Sequence, residues 1–177
     1  MSSASDGLAF REVQQFRQVW LWLLLGPTLL MVIGLMVWGM ATQLALGHTW
    51  GSRPMPDIAL AIVGPTVIVL SVLLLYGFLV MKLITEVQED ELLVRFAPFV
   101  RRRIRFQDIE QCEALSYNSI AEYGGWGIRW APGKGWAYNV SGGGGVRLEL
   151  LEGKRLLIGS QRPEQLADAI RTRMSLD

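Results

Sequence analysis

Two long runs without charge divide the chain. The first covers residues 19–42, VWLWLLLGPTLLMVIGLMVWGMAT, and the second residues 58–83, IALAIVGPTVIVLSVLLLYGFLVMKL, where Lys82 is the first charge. At about 1.5 Å rise per residue, each helix exceeds the roughly 30 Å hydrocarbon core of a bilayer. The pattern predicts a transmembrane hairpin with spans of about 19–42 and 58–83. Both runs contain Gly-Pro-Thr, at Gly26-Pro27-Thr28 and Gly64-Pro65-Thr66. A proline inside a helix removes one backbone bond, so kinks are expected there. Residues 43–57 hold Gly47, Gly51, Pro54 and Pro56, as a turn outside the bilayer should.

After the second run the pattern changes to a period of two. Strands are predicted at 85–88, 92–96, 100–106, 109–115, 128–130, 136–140, 146–151 and 155–158, separated by turn-forming residues such as Glu89-Asp90-Glu91, Pro132-Gly133 and Glu152-Gly153. Residues 117–127 read as irregular. Val100, Ile104 and Phe106 share one face of their strand with Arg102, and Arg101, Arg103 and Arg105 share the other. The last element is a helix. Pro163 suits its first turn, Glu164 complements its amino-terminal dipole, Arg171 and Arg173 complement the other end, and Leu166, Ile170 and Met174 form its apolar stripe.

The segment before the first span has a different period. Phe10, Val13, Phe16 or Arg17, and Trp20 recur at helical spacing, which predicts either an interfacial helix or the first turns of the span projecting into water. Trp20 and Trp22 suit the headgroup level in both cases. The expected organisation is therefore a cytoplasmic or interfacial segment at 1–18, the hairpin at 19–83 and one β-rich domain at 84–177.

Composition agrees with this division. Of 177 residues 51% are hydrophobic and only 19% charged, and the apolar excess sits in the two runs. The net charge of +1 does not call for nucleic acid or a strongly acidic substrate. One cysteine, Cys112, excludes an intrachain disulfide and a cysteine metal cluster. The single histidine, His48, lies in the interhelical loop without partners for metal binding. That loop holds one basic residue, Arg53, whereas Arg11, Arg17, Lys82, Arg95 and the arginines at 101–105 flank the spans on the other side. The positive-inside rule then places both termini in the cytoplasm.

Gly124-Gly125-Trp126-Gly127-Ile128-Arg129, Gly135-Trp136-Ala137-Tyr138-Asn139-Val140, Gly145-Val146, Gly159 and Pro163-Glu164 resemble bacterial membrane proteins carrying a pleckstrin-homology-like (PH-like) domain behind two transmembrane helices. Phe10-Arg11-Glu12-Val13-Gln14-Gln15-Phe16-Arg17-Gln18 is similar to the start of those proteins. The resemblance covers nearly the whole chain and implies an α+β membrane protein, a helical hairpin followed by a PH-like β-barrel capped by the carboxy-terminal helix. It implies residence in the bacterial cytoplasmic membrane and no reaction, the family being mostly uncharacterised. The acidic Glu89-Asp90-Glu91 turn stands where lipid-binding PH domains carry basic residues, which argues against a headgroup site there.

Candidate chemistry is one of binding. Arg101, Arg103 and Arg105 form a face that either turns toward anionic lipid, at about 1 kcal/mol per charge, or is solvated and discourages edge pairing. Trp126, Trp130, Trp136, Tyr123 and Tyr138 crowd one stretch. Trp136 and Tyr138 are expected inward, and Trp126 and Trp130 are the candidates for an exposed, partner-binding patch. Ser141 to Gly145 lacks the lysine and helix of a phosphate-binding loop. With no nucleophile elbow, paired histidines or acid cluster, the expectation is a scaffolding module without enzymatic activity, cofactor, metal, nucleic acid or small-molecule substrate. Its expected partners are the bilayer and a protein or further copies of itself. Lipid sensing and a structural role in a membrane complex are the alternatives.

Overall fold

The computed structural model describes residues 8–176. The described residues form two compact units, 17–80 and a second built from 8–16 together with 81–176.

The first unit is the hairpin. Helix α1 spans Val19–Met40 and continues through a π-helical turn at Ala41–Ala45, and α2 spans Asp57–Val80. Both are long and apolar enough to cross a membrane. They run through Pro27 and Pro65 as continuous helices. In each, the threonine after the proline returns its hydroxyl to the carbonyl four residues back, Thr28 to Leu24 at 2.6 Å and Thr66 to Ile62 at 2.7 Å. Leu60, Gly64 and Ser71 are the buried residues of α2. At Gly64 a Cβ would come within 2.4 Å of the Met40 sulfur, so glycine permits the close approach of the two helices. Gln43 closes the loop, donating to the Met55 carbonyl at 2.6 Å and to Asp57 at 2.7 Å.

The second unit is α+β. Its first sheet is an antiparallel meander of β1 (Phe10–Gln15), β2 (Lys82–Val87), β3 (Glu91–Ala97) and β4 (Val100–Arg105). A short turn leads to β5 (Ile109–Ser116), then α3 (Ser119–Tyr123), the hairpin of β6 (Gly127–Ala131) and β7 (Gly135–Asn139), and the hairpin of β8 (Gly144–Leu150) and β9 (Lys154–Gly159). The order of this second sheet is β5-β8-β9-β7-β6. The β8–β9 hairpin enters between β5 and β7, so β9 meets β7 in parallel, Trp136 opposite Leu156. Helix α4 (Pro163–Met174) buries Leu166, Ala167 and Ile170 and touches strands of both sheets. The core gathers Leu83, Val87, Leu92, Val94 and Phe96 of the first sheet and Val146, Leu148, Leu156 and Ile158 of the second.

Three expectations change. The segment at 8–20 is not a helix over its first part: residues 10–15 are a strand whose Phe10, Glu12 and Gln14 point inward. The helical spacing of Phe10 and Val13 misled because two inward positions are polar, and Val13 is 47% exposed. The β elements form two open sheets, and the described residues contain no closed barrel. The stretch 117–127 contains α3, which Asn118 caps by accepting from the Ile120 and Ala121 amides at 3.1 and 3.0 Å, while Gly124 ends it in the left-handed conformation.

Candidate functional site

One cavity of the β domain is lined by β4 of the first sheet and by β6, β7 and β9 of the second. Trp130 and Trp136 are directly opposed across the β6–β7 pair. They lie at 59% and 45% exposure, so the inward reading of Trp136 is corrected, whereas Tyr138 is buried as expected. The reason is positional. Trp136 shares the core-facing side of its strand with Tyr138, but it stands at the turn end of β7, where its ring remains exposed. A cavity of about 580 Å³ lies against the two indoles and is also lined by Arg102, Lys154 and Arg155.

Each cation arrives differently. Arg102 occupies a core-facing position of β4 between Val100 and Ile104 and has no ion pair or hydrogen bond among the described residues. Arg155 is held, its guanidinium donating to the Gly133 carbonyl at 3.0 Å and pairing with Glu149 at 3.0 Å. Lys154 pairs with Glu152, whose carboxyl it holds below the ordinary range. Gly135 permits the close approach of the start of β7 to β9 beside it. Its φ is +79°, and a Cβ there would stand 2.3 Å from the Arg155 carbonyl oxygen. An anionic group with an apolar or aromatic neighbour fits this set: indole faces for the neighbour, guanidinium and ammonium for the charge.

Trp126 does not join it. It is half-buried in the loop after α3, where its carbonyl accepts from Arg129 at 3.0 Å. Of the predicted exposed pair, Trp130 is exposed and Trp126 only half so, and the second exposed indole of this stretch is Trp136. The arginine face also divides. Arg101, Arg103 and Arg105 are all exposed, but Arg103 pairs with Glu91 at 3.2 Å and Arg105 with Asp108 at 3.3 Å. Arg101 has neither kind of partner among the described residues and faces Arg95 across the β3–β4 pair.

A second constellation was invisible in the sequence. Glu12 of β1 is 7% exposed. Its carboxylate accepts from the Ser160 hydroxyl at 2.6 Å, the Gln161 amide at 2.8 Å and Gln14 Nε2 at 2.8 Å. Gln14 also donates to the Gly159 carbonyl at 2.8 Å, and Arg162 donates to the Arg11 carbonyl at 3.0 Å and stacks 4.8 Å from the Phe10 ring. The strand before the hairpin is thereby clipped to the loop before α4. Among the described residues no group of His, Cys, Asp or Glu is arranged to hold a metal. Cys112 is half-buried beside Ala167, and burial pushes its thiol up to about 11, which leaves it a poor nucleophile at neutral pH.

The class that this fold defines is an α+β domain attached to two helices long and apolar enough to cross a membrane. The chain belongs to the family described as a family of unknown function (DUF6141), whose match covers residues 1–176. No curated protein matches the sequence.

Proposed function

We propose that the protein is a membrane-anchored scaffolding module, without catalytic activity, whose β domain receives a protein partner at the Trp130–Trp136 mouth. The observation that carries this is the opposed, exposed indole pair beside an unpaired core-facing arginine. Exposing two tryptophans to water forgoes on the order of 2 kcal/mol of burial each, and such aromatic and arginine clusters are the anchors from which interfaces draw most of their affinity. The PH-like reading, suggested by the glycine and tryptophan motifs and by the strands-then-helix order, supports a binding role of this kind.

The hairpin holds the domain at a membrane surface and so raises its effective concentration for neighbouring membrane proteins. Strand pairing supports one topology. Gln15 and Lys82 are partners in the β1–β2 register, and the hairpin lies between them in the chain. Two helices that both cross must then begin and end on one side, and the scarcity of basic residues in the interhelical loop favours the cytoplasm for that side.

A photoreactive residue at position 130, crosslinked in intact cells and analysed by mass spectrometry, tests the proposal. We expect capture of a distinct membrane-associated protein that is lost with Arg102→Glu or Trp136→Ala and absent with the probe at position 126. Capture of the same chain alone would replace the scaffold by a homo-oligomer, and no capture would overturn the mouth as the site.

A further inference from the structure

We propose that the end of the first sheet where the chain passes into and out of the hairpin is an anionic-lipid anchor, built from Lys82, Arg95 and Arg101 with Phe99 as its apolar wedge. The proposal rests on the reading of α1 and α2 as membrane spans. Directly opposed residues of adjacent strands project from the same face. The registers Ile84 to Arg95 and Arg95 to Arg101 therefore put both arginines on the outer face of the first sheet, and Lys82, opposite Ala97, lies diagonally from Arg95 on that face. None of the three cations has an ion pair or side-chain hydrogen bond among the described residues. Like charges opposed across a sheet are unfavourable. An external anion relieves that repulsion.

Charge is segregated along this sheet. The acids of the outer face, Glu86 and Glu91, lie toward the other end, where Arg11 and Arg103 neutralise them, and the exposed Glu89 and Asp90 form the turn beyond. Six residues of strand separate the two ends by about 20 Å, roughly two Debye lengths at physiological salt. An anionic surface that meets the cationic end is therefore screened from the acidic one. Chain connectivity supplies the surface. Met81 alone separates the end of α2 at Val80 from Lys82, and residues 16–18 alone separate Gln15 from α1. A chain advances at most about 3.6 Å per residue, so a spanning α2 delivers Lys82 to the headgroups.

Phe99 completes the site. It occupies the β3–β4 turn at this same end, beside the first residue of β4, and its ring is 65% exposed with its amide tied back to Phe96 at 2.8 Å. An exposed aromatic flanked by unpaired cations is the composition of an interfacial anchor, which buries about 5–10 Å into the headgroup boundary. Each cation near an anionic leaflet contributes on the order of fivefold in partition. The partner is thus the anionic leaflet on the domain's side. This trio differs from the row Arg101, Arg103 and Arg105, of which two are spent on acids of the sheet itself.

The full chain, with Cys112→Ala and a spin label at Phe99→Cys, is reconstituted in vesicles of phosphatidylcholine with or without phosphatidylglycerol, and immersion depth is read from oxygen and nickel accessibility. A label at Leu73→Cys in α2 reports the span. We expect the Leu73 label to be immersed in both lipids, and the Phe99 label to be immersed with phosphatidylglycerol and withdrawn by raised salt or by Lys82→Gln, Arg95→Gln and Arg101→Gln together. A Phe99 label that stays in water while Leu73 is immersed would overturn the anchor alone. A Leu73 label in water would overturn the spanning reading itself. Should the triple variant not fold, the salt titration of the unsubstituted surface decides.

Discussion

Glu12→Ala removes a carboxylate that receives three donors, Gln14 from its own strand and Ser160 and Gln161 from the distant loop before α4. Each donor left buried without a partner costs about 1–3 kcal/mol. Against this, the variant no longer desolvates a charge, which returns several kcal/mol of the gross loss, and water entering the vacated space satisfies part of the rest. A net destabilisation of about 3 kcal/mol follows, or a fall in melting temperature of about 12–24 °C for a β domain of this size. Glu12→Gln keeps the shape and one acceptor but turns an amide nitrogen on a donor, so about half that fall is expected. Glu86→Ala is the reference. It deletes a part-exposed pair with Arg11 at 3.1 Å and a long 3.4 Å hydrogen bond from Gln88, together worth about 1 kcal/mol. Thermal unfolding of the full chain in detergent, followed by near-UV circular dichroism, makes the comparison. If Glu12→Ala melts no lower than Glu86→Ala, the buried carboxylate does not hold β1 in the sheet.

Two further outcomes test the frame of the site. Gly135→Ala places a methyl against the Arg155 carbonyl at positive φ, so a loss of at least about 3 kcal/mol in urea unfolding is expected, while Gly133→Ala, at φ +72° in open space, should lose about 1–2 kcal/mol; equal losses would deny the close approach. The Glu122 carboxyl is held below its usual 4.5 by hydrogen bonds from Lys134 and from the Asn118 amide. A depressed folded-state pKa stabilises fully above the unfolded value and loses that contribution as pH falls through the folded one. The stability difference between the unsubstituted chain and Glu122→Gln should therefore be constant above about pH 5 and shrink as the pH is lowered, and a difference that grows on acidification would reverse the assignment.

What could be read in the sequence depended on which side of each element was apolar. The hairpin was legible because nothing in 19–42 or 58–81 competes with its hydropathy, and α1 and α2 fall within a few residues of the predicted spans. Strands β2 to β9 were legible from alternation and from turn residues such as Gly153, which has φ +68°. Strand β1 was hidden because its inward face reads Phe-Glu-Gln. A buried carboxylate satisfied from residues 160 and 161 leaves no local signal, since its partners lie 148 and 149 positions away. The cap of α3 was present in the sequence, Asn118 followed by Glu122, whose side chain accepts from the Asn118 amide at 2.8 Å, and then Gly124. For the aromatic cluster, alternation assigned Trp136 its face correctly; what alternation cannot tell is where the covering layer stops.

The position of β1 changes what kind of object the domain is. A domain that followed the hairpin in the chain would be tethered by one strand and free to swing. Here the hairpin is an insertion between two strands paired along their whole length, from Phe10 opposite Val87 to Gln15 opposite Lys82. Two short connections, residues 16–18 and Met81, leave the sheet from neighbouring strands. The same topology sets an order of folding. β1 is synthesised first yet has no sheet to join until both helices and β2 have emerged, and its clip waits for residues 159–161 near the chain's end.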